Sequence, residues 1–228
     1  DAAVLFFFAV TGLNTLAVFV AGWSSRNKYS LLGGMRSVAQ MVSYEIPLVL
    51  SGVVVAMLVG SLETTRIVEA QQVTRWAGSD SAGLQALGQV LGWHVFTPWG
   101  FAGFVIFFIA ALAETNRSPF DLPEAESEII AGYLTEYSGF KFALFFLAEY
   151  VATFAIICLA VILFLGGWNG PNLRPWWTDD PQALLIPGFV WLFLKMFVLM
   201  GVMIWIRGTL PRLRVDQLMG FAWKFLLP

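Results

Sequence analysis

The sequence predicts an all-α polytopic membrane protein, and three observations carry that prediction. Of its 228 residues, 58% are hydrophobic and only 12% charged, with a mean hydropathy of +0.75. Soluble domains are seldom so apolar. Five apolar runs follow one another at about 3–22, 37–60, 95–113, 142–166 and 183–206, and a sixth starts near Gln217. Each approaches the ~20 residues a helix needs to cross a bilayer. None alternates apolar and polar residues as a barrel strand does. The chain therefore reads as a single transmembrane helical domain, 1–228, with five full spans and the start of another.

In order, Asp1 leads directly into the first span with no basic leader and no cleavage site, so that run is expected to be a span rather than a signal peptide. The loop GWSSRNKYSLLGGMR at 22–36 follows, where Ser30 would cap a helix beginning near Leu31. Gly33 and Gly34 in it permit a bend or a close helix contact. The second span is expected to start at Ser37, and Pro47 inside it frees the carbonyl of Ser43. The long loop 61–98 places Leu84, Leu87, Val90 and Leu91 at helical spacing, enough for a short interfacial helix weakened by Gly83, Gly88 and Gly92. His94 belongs to that segment and reads as ordinary surface chemistry. Pro98 suits a first helical turn, although the apolar run reaches back through Val95. The loop 167–181 is rich in Gly, Pro and Trp, and Trp168, Trp176 and Trp177 belong at headgroup level. From Gln217 to the end the residues rise only ~18 Å as a helix, short of the ~30 Å core. The expectation is a fragment cut inside its last span.

The cations give an orientation. Loops after spans one, three and five hold Arg26, Lys28 and Arg36, then Arg117 and Lys141, then Arg207, Arg212 and Arg214; the other two loops hold only Arg66, Arg75 and Arg174. The first set is expected on the cytoplasmic side. One cysteine, Cys158, and one histidine leave no internal disulfide, no Cys-x-x-Cys site and no iron–sulfur ligand set in this chain.

Carboxylates are concentrated in one place. Of 15 acidic residues, Glu114, Asp121, Glu124, Glu126, Glu128, Glu136 and Glu149 fall within 113–150. Asp121 and Glu124 stand in the spacing of a capping box, with Pro123 in a first turn. Helix-terminal stabilisation of ~0.3–1 kcal/mol each accounts for Asp121, Glu124 and Glu126, but not for Glu114 at the end of span three. Glu45 and Glu149 each lie ~12 Å in from the same face, so they can meet across a bundle. Lys195 lies ~18 Å in. Either Lys195 forms a structural ion pair with a glutamate, or these groups carry charge through the membrane, which is the commoner reason to keep them there.

Three stretches in this order, GWSSRNKYSLLGGMRSVAQMVSYE, AETNRSPFDLPEAESEIIAGYLTEYSGFKFALFFLAEY and RGTLPRLRVDQLM, resemble the H-type membrane subunits of proton-pumping NADH:quinone oxidoreductase, respiratory complex I. The resemblance runs from Trp23 to the end and implies a protein of about eight spans. It implies no prosthetic group on this chain, quinone as substrate, and NADH, FMN and iron–sulfur clusters on partner subunits. The implied partners are the peripheral-arm iron–sulfur and quinone-site subunits, small neighbouring membrane-arm subunits and lipid, and no nucleic acid. The implied place is a bacterial cytoplasmic membrane. By resemblance, Trp23, Arg26, Lys28, Arg36, Arg117, Phe120, Asp121, Glu124, Glu126, Glu128 and Glu136 line the quinone chamber. By the same resemblance Glu45, Glu114 and Glu149 form a proton or charge relay, which Lys195 is expected to join as an intramembrane charge, and Arg207, Arg212 and Arg214, with Asp216 beside them, face partners. The loop 61–98 is longer than usual for the family. Two other readings stay open: the membrane subunit of an energy-converting hydrogenase or formate hydrogenlyase, and a stand-alone cation or proton transporter. The intact acidic block and EYSGFKF favour the quinone enzyme.

Overall fold

The computed structural model describes residues 2–72, 88, 90–121, 132–171, 187–211 and 213–227. Within them the chain is helical: α1 (Ala3–Ser24), α2 (Lys28–Val59), α3 (Thr64–Ala70), α4 (Pro98–Glu114), α5 (Phe140–Phe164), α6 (Gly188–Thr209) and α7 (Val215–Phe221). A turn of π-helix, Ala222–Leu226, continues α7. Four of these helices, α1, α2, α5 and α6, are long and apolar enough to cross a membrane, and α4 is a shorter apolar helix of 17 residues.

Two boundaries differ from the sequence reading. The second span starts at Lys28 rather than Ser37, as one helix of 32 residues. Asn27, not Ser30, caps it: the Asn27 side chain accepts the Tyr29 N–H at 3.0 Å, while Ser30 is already helical and donates to the Tyr133 carbonyl at 3.1 Å. At the third span, residues His94–Phe96 form a separate 3-10 turn and the helix begins at Pro98. The Thr97 hydroxyl receives the Gly100 N–H at 3.1 Å, an N-cap that fixes the start there. The short helix α3 had no clear signal in the sequence. Most of the expected interfacial helix at 84–91 lies outside the described residues.

Helix α2 is the axis of the bundle, packed against α1 on one side and α4 on the other. With no solvent to expel between helices in lipid, close packing of small residues must hold them. The sequence supplies those residues. A Cβ on Gly34 would sit 3.4 Å from the Gly22 Cα, and one on Gly52 would meet the Phe8 ring at 2.7 Å. Tyr44, Leu48, Phe107, Ile157, Val161 and Phe164 fill the interior. Large side chains such as Phe6, Leu13, Met57, Phe197 and Trp205 point outward, as a lipid-facing surface requires.

The connections sort to two ends. At one, the Asn27 side-chain amide donates to Glu136 at 2.7 Å, Ser24 meets the Tyr137 hydroxyl at 2.7 Å, and the Leu213 N–H reaches the Pro119 carbonyl at 3.2 Å. At the other, Val4 reaches Leu62, and Asn169 donates to the Val68 carbonyl. The loops after spans one, three and five therefore share an end, as their cations led one to expect.

Candidate functional site

The charged site is built where α4 stops. Asn116 adopts a left-handed conformation, φ 48°, and the Arg117 N–H returns to the Leu112 carbonyl at 3.3 Å. That is a Schellman-type stop, for which asparagine is the usual substitute for glycine. It turns the chain back on itself and sets Arg117 beside α5. There the Arg117 Nε stands 3.5 Å from Glu149 Oε1, and its guanidinium lies 4.4 Å from the centre of the Tyr150 ring.

Glu114, the last residue of α4, is 4% exposed, and its Oε2 has no hydrogen-bond partner among the described residues. It is close enough to Glu45 for the two charges to interact. Glu45 in turn lies against α1, where a Cβ on Gly12 would stand 3.0 Å from its Oε1. The sequence leads one to expect Glu45 to meet Glu149; the structure sets Glu45 near Glu114 and Glu149 beside Arg117. Glu114 and Arg117 thus bring one carboxylate each, Glu45 from α2 and Glu149 from α5, to the two sides of the turn that ends α4.

Asp121 and Phe120 are buried at the far side of the same turn, and the Phe120 ring meets Tyr44 edge-on at 5.4 Å. Glu124, Glu126 and Glu128, with the expected capping box, lie outside the described residues, as does Arg212. Arg36 is half-buried in α2 near this end. Trp23, Arg26, Lys28 and Glu136 lie on the exposed rim, with Lys28 over the Tyr29 ring at 5.2 Å. Arg207, Arg214 and Asp216 are exposed beyond α6 and at the start of α7. An apolar groove of about 510 Å³ runs between α1 and α5, lined by Leu13, Leu16, Val20, Tyr137 and Phe145.

Lys195 is placed differently from expectation. Its ammonium donates to the carbonyls of Leu165 at 2.6 Å and Gly167 at 3.1 Å, to that of Asn169, and lies 4.1 Å from the Trp93 ring centre. Leu165 is the far end of α5, ~24 Å along the helix from Glu149. Helix ends leave carbonyls without partners, and a lysine satisfies them as well as it would a carboxylate. Lys195 therefore caps α5 at the opposite end of the bundle from the carboxylates.

The same far end holds two groups that sequence reasoning missed or misread. Gln71, 1% exposed, donates to the Ile162 and Leu163 carbonyls at 3.0 and 3.2 Å. His94 is half-buried rather than surface chemistry, its Nδ1 3.0 Å from the Leu163 carbonyl. Burial pushes its pKa below the usual histidine value, and the carbonyl partly opposes that. At the charged end, Gln40 and Tyr137 were also missed as organisers. A polar residue on a buried helix face was the only available signal for Gln40.

The sequence pattern of the family described as NADH dehydrogenase matches residues 1–228. The chain is 49% identical over 225 residues to the H subunit of NADH-quinone oxidoreductase from Brevibacillus brevis, covering 99% of this chain and 59% of that one. The H subunit from Geobacillus thermodenitrificans gives the same identity and coverage, and that from Bacillus mycoides is 49% identical over 227 residues. The chain spans 59% of the length of these curated relatives.

Proposed function

This chain belongs to the NADH dehydrogenase family, and we propose that it serves as the quinone-facing coupling subunit in the membrane arm of an NADH:quinone oxidoreductase. The observation that carries the reading is the turn ending α4, where buried Glu114 lies within electrostatic reach of Glu45 and Arg117 pairs with Glu149. Intramembrane charges are costly and are kept for a purpose. Here the purpose is to sense a change of charge and pass it inward.

In this reading NADH is oxidised on partner subunits, which carry the FMN and iron–sulfur clusters that deliver two electrons to quinone. Quinone takes up those electrons and two protons to become quinol. Its isoprenoid tail lies in apolar grooves such as the one between α1 and α5. The transient negative charge of the reduced headgroup acts on the turn bearing Glu114, Arg117 and Asp121. In a medium of low dielectric such a charge is felt strongly over several ångströms. Glu114 has a carboxylate oxygen with no hydrogen-bond partner among the described residues and lies within reach of the charge on Glu45. Arg117 shares the change with Glu149, which begins the path into α5. The cation-rich end faces the cytoplasm of a bacterial cell, where the peripheral partners dock near Arg207, Arg214 and Asp216.

The test is Glu114→Gln in the assembled enzyme in native membranes. Turnover from NADH to quinone, and the coupled pumping, should fall, while NADH oxidation by a water-soluble acceptor stays at the parental rate. Full quinone turnover and full pumping in both Glu114→Gln and Glu149→Gln refute the proposal.

A further inference from the structure

We infer that Gln40 is the positioning residue that sets the geometry of the charged turn, acting through the backbone on Glu114, Arg117 and Asp121. The inference rests on the coupling role proposed for those groups. Gln40 is 1% exposed, on the face of α2 that meets α4. Its Nε2 donates to the Ala113 carbonyl at 2.8 Å and to the Phe120 carbonyl at 2.7 Å. Those carbonyls bracket the turn: one immediately precedes Glu114, the other immediately precedes Asp121. A single carboxamide, using both of its protons, therefore pins the two ends of the segment that carries the site's charges.

The choice of side chain is narrow. The Ala113 carbonyl, in the last turn of α4, takes a long 3.3 Å bond from the Asn116 N–H besides that of Gln40, and a second donor must reach Phe120 from the same atom. A glutamate would set oxygen against oxygen. A leucine would leave two buried carbonyls without that donor. An asparagine is one methylene too short to keep both.

The rest of this face of α2 grips the same turn. Tyr44, one helical turn from Gln40 and on the same side, holds the Phe120 ring and donates its hydroxyl to the Leu218 carbonyl of α7 at 3.0 Å. The Leu213 N–H binds the Pro119 carbonyl at 3.2 Å. The turn is thus fixed between α2 and α7, and Gln40 joins both of its ends. The charged and titratable groups around it are Glu45 and Tyr44 from α2, Arg117 and Asp121 from the turn itself, and Glu149 from α5.

The experiment uses the whole enzyme in native membranes, with Gln40→Leu, Gln40→Asn and the control Met41→Ala, whose target is equally buried at 1% exposed on the same helix. Turnover from NADH to quinone is normalised to assembled enzyme by oxidation with a water-soluble acceptor, and is followed across pH. Both Gln40 variants should lose ~10-fold in normalised turnover, the scale set by small misplacements of reacting groups. Their pH profiles should be displaced, because Glu114 has moved relative to its neighbours. Met41→Ala should lower thermal stability and leave the profile where it was. A parental profile in assembled Gln40→Asn overturns the inference, as does a fall in turnover with an unmoved profile, or failure of both Gln40 variants to assemble. If the coupling reading itself is wrong, Glu114→Gln and Glu149→Gln keep full turnover, an outcome independent of anything done to Gln40.

Discussion

Replacing Glu149 by glutamine removes one negative charge and almost no volume, so its effect measures charge alone. The carboxylate stands 3.5 Å from the Arg117 Nε, with the side chains 22% and 11% exposed. At the effective dielectric of a partly buried pair, a Coulomb attraction at about this range is worth ~4 kcal/mol before screening. The amide oxygen of glutamine still accepts a hydrogen bond from the guanidinium, recovering ~1.5 kcal/mol, and Arg117 keeps its Tyr150 ring, worth ~0.5–1 kcal/mol at an exposed site. That ring contact is the same in parent and variant, so the net loss is about 2.5 kcal/mol, a ~60-fold change in the equilibrium that holds Arg117 toward α5. Assembly should survive, as a native gel and NADH oxidation with a water-soluble acceptor will show. Quinone turnover per assembled enzyme and pumping, read with a pH-sensitive dye in vesicles, should both fall by about that factor if the pair transmits the charge change. Parental values of both in a fully assembled variant refute the reasoning. The companion change Arg117→Lys keeps a cation but loses the planar contact with Tyr150, and should fall between the two.

Gly33→Ala should destabilise the bundle by about 1–3 kcal/mol, because its Cβ would stand 2.7 Å from the Gly132 Cα, a backbone atom that cannot swing aside; an unchanged thermal transition would contradict that contact. Gly12→Ala sets a methyl 3.0 Å from Glu45 Oε1, so it should lower quinone turnover with little change in thermal stability, and parental turnover would show that Glu45 moves freely. Lys195→Met strips three carbonyls at the end of α5 of their donor, for an expected loss of about 2–4 kcal/mol in thermal stability. Quinone turnover per assembled enzyme should hold; its loss would place Lys195 in the relay after all. For His94 the folded value lies below the ordinary 6.5, so the unfolded chain binds the proton more readily. Its contribution to stability is complete above the ordinary value and is lost as pH falls toward the folded one. The protection of amides 94–97 relative to their intrinsic exchange should fall over that range in the parent and not in His94→Gln.

The spans were legible because a bilayer punishes every buried polar group, leaving long apolar runs that composition alone reveals. Their starts were less so. Ser30 and Asn27 are both good caps, and only the tertiary contact of Ser30 with the Tyr133 carbonyl shows which was used otherwise. Gly33 and Gly34 announced a close approach, but not that Gly132 and Gly22 are what approaches. The acidic residues announced a site, yet the pairing of Glu45 with Glu114 and of Glu149 with Arg117 depends on how three helices rotate against one another. Depth along a helix said how far in Lys195 lies, but not that the carbonyls holding it belong to a neighbouring helix that ends there.

By itself, the sequence determined that this protein is a helical membrane bundle, which loops share an end, and which family its motifs resemble. These follow from local quantities: hydropathy, cation placement and the order of residues. Tertiary structure alone decided which charges meet, which carbonyls borrow donors from distant residues such as Gln40, Gln71 and Lys195, and which glycines are contact points. Those are properties of pairs far apart in the chain, and inside a low-dielectric bundle a displacement of an ångström or two decides whether a pair is coupled or costly.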